Sequence, residues 1–203
     1  MFRPAPVLLM AAAFAAPASA TVIELDFVGN AGAGLLPGNE VGANTPVAPN
    51  AAASNAVGFE AGRGLTYDDQ TNVFEFEFNF FGLTGGLFDA ASGIHFHNTG
   101  DVPDPLNANG GIVLNLNTGA DPAVALNSPL IAFGATSGQV SGSALLSEEL
   151  EADLLAGRFY LNIHTDGFRG GELRANVAAV PEPATAGLLL AGVAGLIARR
   201  RKI

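Results

Sequence analysis

The clearest pattern in the chain is an alternation of phenylalanine and polar residues. Over the stretch NVFEFEFNFFGLTG, Phe74, Phe76, Phe78 and Phe80 fall on one side of an extended backbone, and Glu75, Glu77 and Asn79 on the other. A period of two with one oily face predicts a half-buried strand, because a helix would scatter the same rings around its circumference. The segment TVIELDFVG, from Thr21, alternates enough to predict a first strand. Further strands are predicted over 93–98, 111–117, 139–145, 158–165 and 172–177, separated by the Gly- and Pro-bearing runs TGDVPDPLNANGG, NTGADPAVALNSPL and DGFRGG. Residues 30–55, rich in Gly, Ala, Asn and Pro and without a period, predict a long loop partly ordered by the neighbouring sheet. One helix is predicted: Ser147 caps the run EELEADLLAG, Glu148 and Glu149 suit the positive end of its dipole, and Gly157 suits its stop. Many short strands and a single helix predict an all-β fold, an antiparallel β-sandwich or flattened Greek-key barrel.

Composition agrees with one such domain. The chain has 203 residues, 49% hydrophobic and only 14% charged, which supplies enough apolar surface to offset chain entropy. Between Thr21 and Val180 four arginines stand against eighteen acids, a net −14. That field repels phosphate backbones and attracts cations, so nucleic acid is excluded as a partner. The absence of cysteine removes disulfides and thiolate metal sites.

Both ends read as addresses. Residues 1–20 combine Arg3, an apolar run from Val7 to Ala16, and Ala18-Ser19-Ala20. Small residues at Ala18 and Ala20 predict export and cleavage by signal peptidase before Thr21. Pro4, Pro6 and Pro17 argue against a buried N-terminal helix. At the other end, the fifteen residues Ala184 to Ala198 are fewer than the roughly 20 that span a bilayer, and the closing RRRKI favours a cytoplasmic end. Pro181-Glu182-Pro183, the short apolar segment and the terminal arginine cluster resemble the PEP-CTERM sorting signal of Gram-negative bacteria. The resemblance implies transient membrane insertion of the tail and removal near the triplet by an exosortase. It further implies delivery to the cell envelope, outer surface or extracellular matrix, in association with exopolysaccharide and biofilm. An ordinary C-terminal membrane anchor is the alternative, with the same orientation.

The middle of the chain carries all three histidines, in GIHFHN and FYLNIHTDG. On a strand, His95 and His97 share a face, with Ile94 and Phe96 on the other. Tyr160, Asn162 and His164 likewise oppose Phe159, Leu161 and Ile163. If the two strands are neighbours, the three imidazoles converge, and an all-nitrogen site suits copper or zinc. The alternative is a hydrogen-bonded structural feature with Asn162 and Thr165 as partners. Other constellations are thinner. Asp68, Asp69, Asp101 and Asp104 lack a calcium-loop pattern. Glu75 and Glu77 share a solvent-facing strand side, Ser147 has no nucleophile-elbow setting, and Gly170-Gly171 reads as a turn. Glu172 and Arg174 share a face, which predicts a cross-strand ion pair.

From Gly38 to Val177 the order of elements resembles the CHRD domain, first described in chordin and widespread in bacteria. The resemblance rests on GLTGGLFDAASGIHFHN, NGGIVLNL and LLSEELEADLLAGRFYLNIHTDGFRGGELRANV. The family features fall on His95, His97, Asn109, Gly110, Ala156, Gly157, Tyr160, Asn162, His164, Thr165, Gly170, Gly171, Glu172 and Arg174. Gly111, Asn98 and Ala175-Asn176 depart from the family pattern. The resemblance implies a β module with a protein or polysaccharide partner and no assigned activity. The order Gly93, His95, His97, Gly100, Asp101 and His164 is also similar to part of the copper, zinc superoxide dismutase pattern. The zinc loop, the bridging histidine and the disulfide cysteines of that family are missing. Two readings remain: an exported, non-enzymatic matrix or binding module, and a copper- or zinc-binding protein with superoxide-dismutase-like redox activity.

Overall fold

A computed structural model describes residues 21–40, 51–89, 93–117, 119 and 121–181. The predicted signal peptide with Ala18 and Ala20, and the tail from Glu182 and Pro183 onward, lie outside the described residues. Among the described residues no helix is long and apolar enough to cross a membrane.

Among the described residues nine strands form one antiparallel sheet: β1 (Val22–Val28), β2 (Val57–Asp68), β3 (Val73–Phe81), β4 (Ile94–Asn98), β5 (Gly111–Asn115), β6 (Val124–Leu126), β7 (Gly138–Leu145), β8 (Phe159–Ile163) and β9 (Leu173–Ala179). Their order across the sheet is β5-β4-β8-β9-β1-β2-β3-β7-β6. The sheet curls until its two halves face each other. Phe96 of β4 packs edge-on against Phe74 and Phe76 of β3, with centroids 5.1 and 5.8 Å apart, although four strands separate β4 from β3 in the order. Inside the curl lie the phenylalanines of β3 with Phe27, Leu65, Tyr67, Ile94, Leu114, Phe159, Leu161, Ile163 and Val177, all buried. This is the predicted all-β fold, a nearly closed, flattened antiparallel barrel.

The helix α1 (Glu148–Leu155) also matches its prediction. Ser147 Oγ accepts the Leu150 N–H at 3.3 Å, three acids occupy the first turn, and Gly157 closes the end at φ +73°.

Two strands occur where the pattern predicts none. β6 lies inside the run read as a separator, where Val124–Leu126 adds three residues to the free edge of β7. β2 hides its period behind glycines. Its register with β3 shifts between Glu60 and Leu65, and Gly62 sits in that shift at φ +54°, where a Cβ would come within 2.0 Å of the Glu77 carboxylate. The long loop of 30–55 is ordered by the sheet where it is described. Leu35 bridges to Gly58 and Leu36 to Arg174, and single 3-10 turns form at Pro37–Asn39 and Ala51–Ala53.

The half of the sheet formed by β4, β8 and β9 is buried on both sides. Its inner side is apolar. Its outer side carries His95, His97, Tyr160, Asn162, Arg174 and Asn176, all buried although mostly polar. The cover is loop: Leu36 pairs with the β9 backbone, and the segment 105–110 is bonded down by Arg174, Asn176, Tyr160 and His97.

Candidate metal centre

The alternation on β4 sends Ile94 and Phe96 into the core and leaves His95 and His97 on the outer side. Across the ladder, His95 registers with Asn162 and His97 with Tyr160 of β8. His164 follows the last residue of β8 and is fixed through its backbone. Its N–H donates to Gly93 O at 2.7 Å, and its carbonyl accepts the Phe88 N–H at 3.0 Å. On the far flank, the β4–β5 register shifts between Phe96 and His97, a bulge beside the cluster of the sort that re-aims neighbouring side chains.

The three rings meet. Centroids are 5.0 Å apart for His95 and His164, 5.5 Å for His95 and His97, and 6.2 Å for His97 and His164. One ligand nitrogen from each lies within 4.8 Å of the others. Nitrogens bonded to a single tetrahedral ion at about 2.0 Å lie about 3.3 Å apart, so small ring rotations close the set around a metal.

Hydrogen bonds decide which nitrogens face the centre. His97 Nδ1 lies 3.0 Å from Gly110 O, and His164 Nδ1 lies 2.9 Å from Arg169 O. A carbonyl can only accept, so each Nδ1 carries the proton and each Nε2 keeps its lone pair. Both Nε2 atoms are buried without a hydrogen bond. Burial pushes the His97 imidazole down to about 4, against backbone bonding to Gly110, and burial also lowers His164. Neutral rings with fixed tautomers are the state in which imidazole binds metal.

Behind His97 stands a stacked layer. The Tyr160 ring lies parallel to it at 4.7 Å, and the Arg174 guanidinium covers the other face of Tyr160 at 3.7 Å. Arg174 is fully buried. It donates to Ala108 O at 2.6 Å, Asn109 Oδ1 at 2.7 Å and, at longer range, Pro105 O. Burial lowers its pKa from the ordinary guanidinium value, and the negative field of Glu40 opposes that shift. Tyr160 Oη accepts the Gly110 N–H at 3.0 Å, so the loop that fixes the His97 tautomer is itself pinned by Tyr160 and Arg174.

The predicted pairing of Glu172 with Arg174 does not occur. Glu172 precedes β9 and is fully buried, where it accepts the Thr84 N–H at 2.9 Å and the Ser54 hydroxyl. It tethers two loops, while Arg174 serves the segment 105–110. Thr165 and Asn162 are not the ring partners of His97 and His164 either. Thr165 Oγ1 accepts the Phe168 N–H, and the His97 and His164 rings bond to backbone carbonyls. Asn162 Oδ1 is buried without a hydrogen bond.

The scattered acids have local structural roles. Asp68 accepts turn N–H groups of Gln70 and Thr71, Asp69 that of Thr21, and Asp104 the Asn107 amide. Asp101 pairs with Arg158 at 2.6 Å, and Glu77 accepts from Gln139. Sequence reasoning missed Asn176, which bonds Pro105 O at 3.1 Å, and Glu40. Glu40 Oε2 and the Asn162 amide both crowd Gly171. A Cβ there would lie 2.4 to 2.6 Å from them, and φ at Gly171 is +126°. The Gly-Gly-Glu turn was the available signal for that close approach.

The CHRD domain family model matches residues 32–177, and the PEP-CTERM protein-sorting motif matches residues 179–202. No curated protein and no solved structure gives a significant match to the chain. The sorting motif marks export to the cell envelope or extracellular space and processing by exosortase.

The lowered His97 value sets a pH dependence. The unfolded chain binds a proton at about 6.5 and the folded one only at about 4, so protonation favours unfolding. The metal-free protein therefore keeps this contribution above pH 6.5 and loses it as pH falls toward 4, by about 3 kcal/mol in all. Urea midpoints measured from pH 7.5 to 4 should fall more steeply for the wild type than for His97→Gln. Equal slopes would contradict the assignment.

Proposed function

Because the chain belongs to the CHRD-domain family, we propose that it is an exported, non-enzymatic module of the cell envelope or extracellular matrix that binds copper or zinc through His95, His97 and His164. The observation that carries the metal reading is the pair of buried Nε2 atoms, on His97 and His164, whose lone pairs have no hydrogen bond. Burying such acceptors is costly unless something answers them, and the cluster brings its ligand nitrogens together within 4.8 Å of one another. A cation does answer them. An imidazole-only donor set fits Cu(II) and Zn(II), with Cu(II) the tighter of the two by the general affinity order. The acidic surface raises the local cation concentration.

The remaining parts belong to delivery. Signal peptidase reads Ala18 and Ala20 and cuts before Thr21. The tail pauses in the membrane, and exosortase cuts near Pro181-Glu182-Pro183, leaving the domain on the outer surface of a Gram-negative cell. An exopolysaccharide or a matrix protein is the partner class that this route and the family imply.

Purified protein should bind about one Cu(II) or Zn(II) per chain with a dissociation constant below about 1 µM. His95→Ala, His97→Ala and His164→Ala should each weaken binding at least about tenfold. Millimolar binding, or binding indifferent to all three changes, would return the histidines to a structural role. Intact mass of the native exported protein should show Thr21 as its first residue and an end near the Pro-Glu-Pro triplet. A mass that retains the arginine cluster would instead support a permanent anchor.

A further inference from the structure

We propose that the three-histidine cluster is an open coordination site: an ion held there keeps one position for a small exogenous ligand, water or a small anion, and the Asn162 amide hydrogen-bonds that ligand. The proposal rests on the metal reading above and concerns what the bound ion can still accept.

The ligand count comes first. Among the described residues the cluster comprises three histidines and no carboxylate. The internal residues outside the description, 41–50, 90–92, 118 and 120, contain no His, Cys, Asp or Glu. The chain has no other histidine and no cysteine. Structural zinc sites close their tetrahedron with four protein ligands, whereas sites with three keep the fourth position for a molecule from solution.

Access comes second. His95 and His97 are buried and His164 is partly exposed although its Nε2 is buried, so the cluster lies nearest to solvent on the His164 side. The opposite side is closed by Tyr160 stacked on His97.

The third observation is Asn162. On the paired strands it stands opposite His95, and on β8 it lies two residues from both Tyr160 and His164. Its neighbours on this face are the histidines of the cluster and Tyr160 on one flank and Arg174, opposite it on β9, on the other, with Glu40 beside the same Gly171. The residue is 3% exposed, and its Oδ1 is buried without a hydrogen bond. Buried amide oxygens are almost always bonded. A water held by the ion has two protons to donate, and a ligand in the fourth position would meet this acceptor. Gly171 gives the amide its room, since any side chain there would displace it. An Asn also serves an anion, because rotation of the amide offers its N–H group instead.

The test uses purified protein loaded with Cu(II), with copper stoichiometry measured first and sodium azide as the probe. Azide should add a saturable charge-transfer band and alter the copper EPR spectrum. Asn162→Leu should keep the copper stoichiometry and weaken azide binding by about tenfold, the scale of one lost hydrogen bond to a charged ligand. If copper binds and azide leaves both spectra unchanged, the site is closed and the proposal is overturned. If Asn162→Leu binds azide as tightly as the wild type, the assignment to Asn162 is overturned. If Asn162→Leu does not fold, Asn162→Ser makes the same comparison. Absence of copper binding in the wild type is a different result, and it overturns the metal reading itself.

Discussion

The structure depends on burying a polar layer. The outer side of β4, β8 and β9 carries histidines, amides, a tyrosine and an arginine, yet loops cover it as fully as the apolar side covers the core. Desolvated polar groups are tolerated only when bonded, so the segment 105–110 and the turn 165–171 have to present their carbonyls at the right places. Arg174 is the hub of that arrangement. It holds three oxygens of the covering segment while its charge lies over the Tyr160 ring.

Rigidity of the scaffold and chemistry of the cluster follow from the same contacts. Gly110 accepts from His97, donates to Tyr160, and leaves no space for a side chain, since a Cβ would lie 1.8 Å from Asn98 O. The loop that closes over the strands therefore also selects the ring nitrogen that faces the centre. Burial keeps the His97 and His164 imidazoles neutral where solvent exposure would let them share protons with water. A metal site of this type needs no acidic ligand, and the negative surface acts only at long range.

Much of this was legible from alternation alone. The Phe74 to Phe80 period located β3, and the two histidine faces were assigned to the correct side of β4 and β8. What alternation cannot tell is whether a polar face meets water or a covering loop, because the covering segments 36–40 and 105–110 have no period of their own. The same blindness produced the expected Glu172–Arg174 pair. Shared facing suggested a contact, but Glu172 lies ahead of the strand and bonds to Thr84 and Ser54. β2 escaped because Gly58, Gly62 and Gly64 interrupt its apolar positions, and the residues that fix the ring tautomers are backbone carbonyls, which carry no sequence signature. Two departures from the family pattern, Asn98 and Asn176, have local structural reasons. Asn98 ties β4 to α1 through Asp153 at 2.6 Å, and Asn176 bonds the covering segment.

The family and the sorting motif mark a β module for export to the cell envelope or extracellular space, and the imidazole cluster is what the proposed metal chemistry rests on. X-ray absorption at the metal edge of the copper- or zinc-loaded protein tests that chemistry most directly. The account predicts three imidazole nitrogens at about 2.0 Å, with the outer-shell scattering of the rings, and one further light atom. A first shell dominated by oxygen, with fewer than two imidazoles, would contradict it.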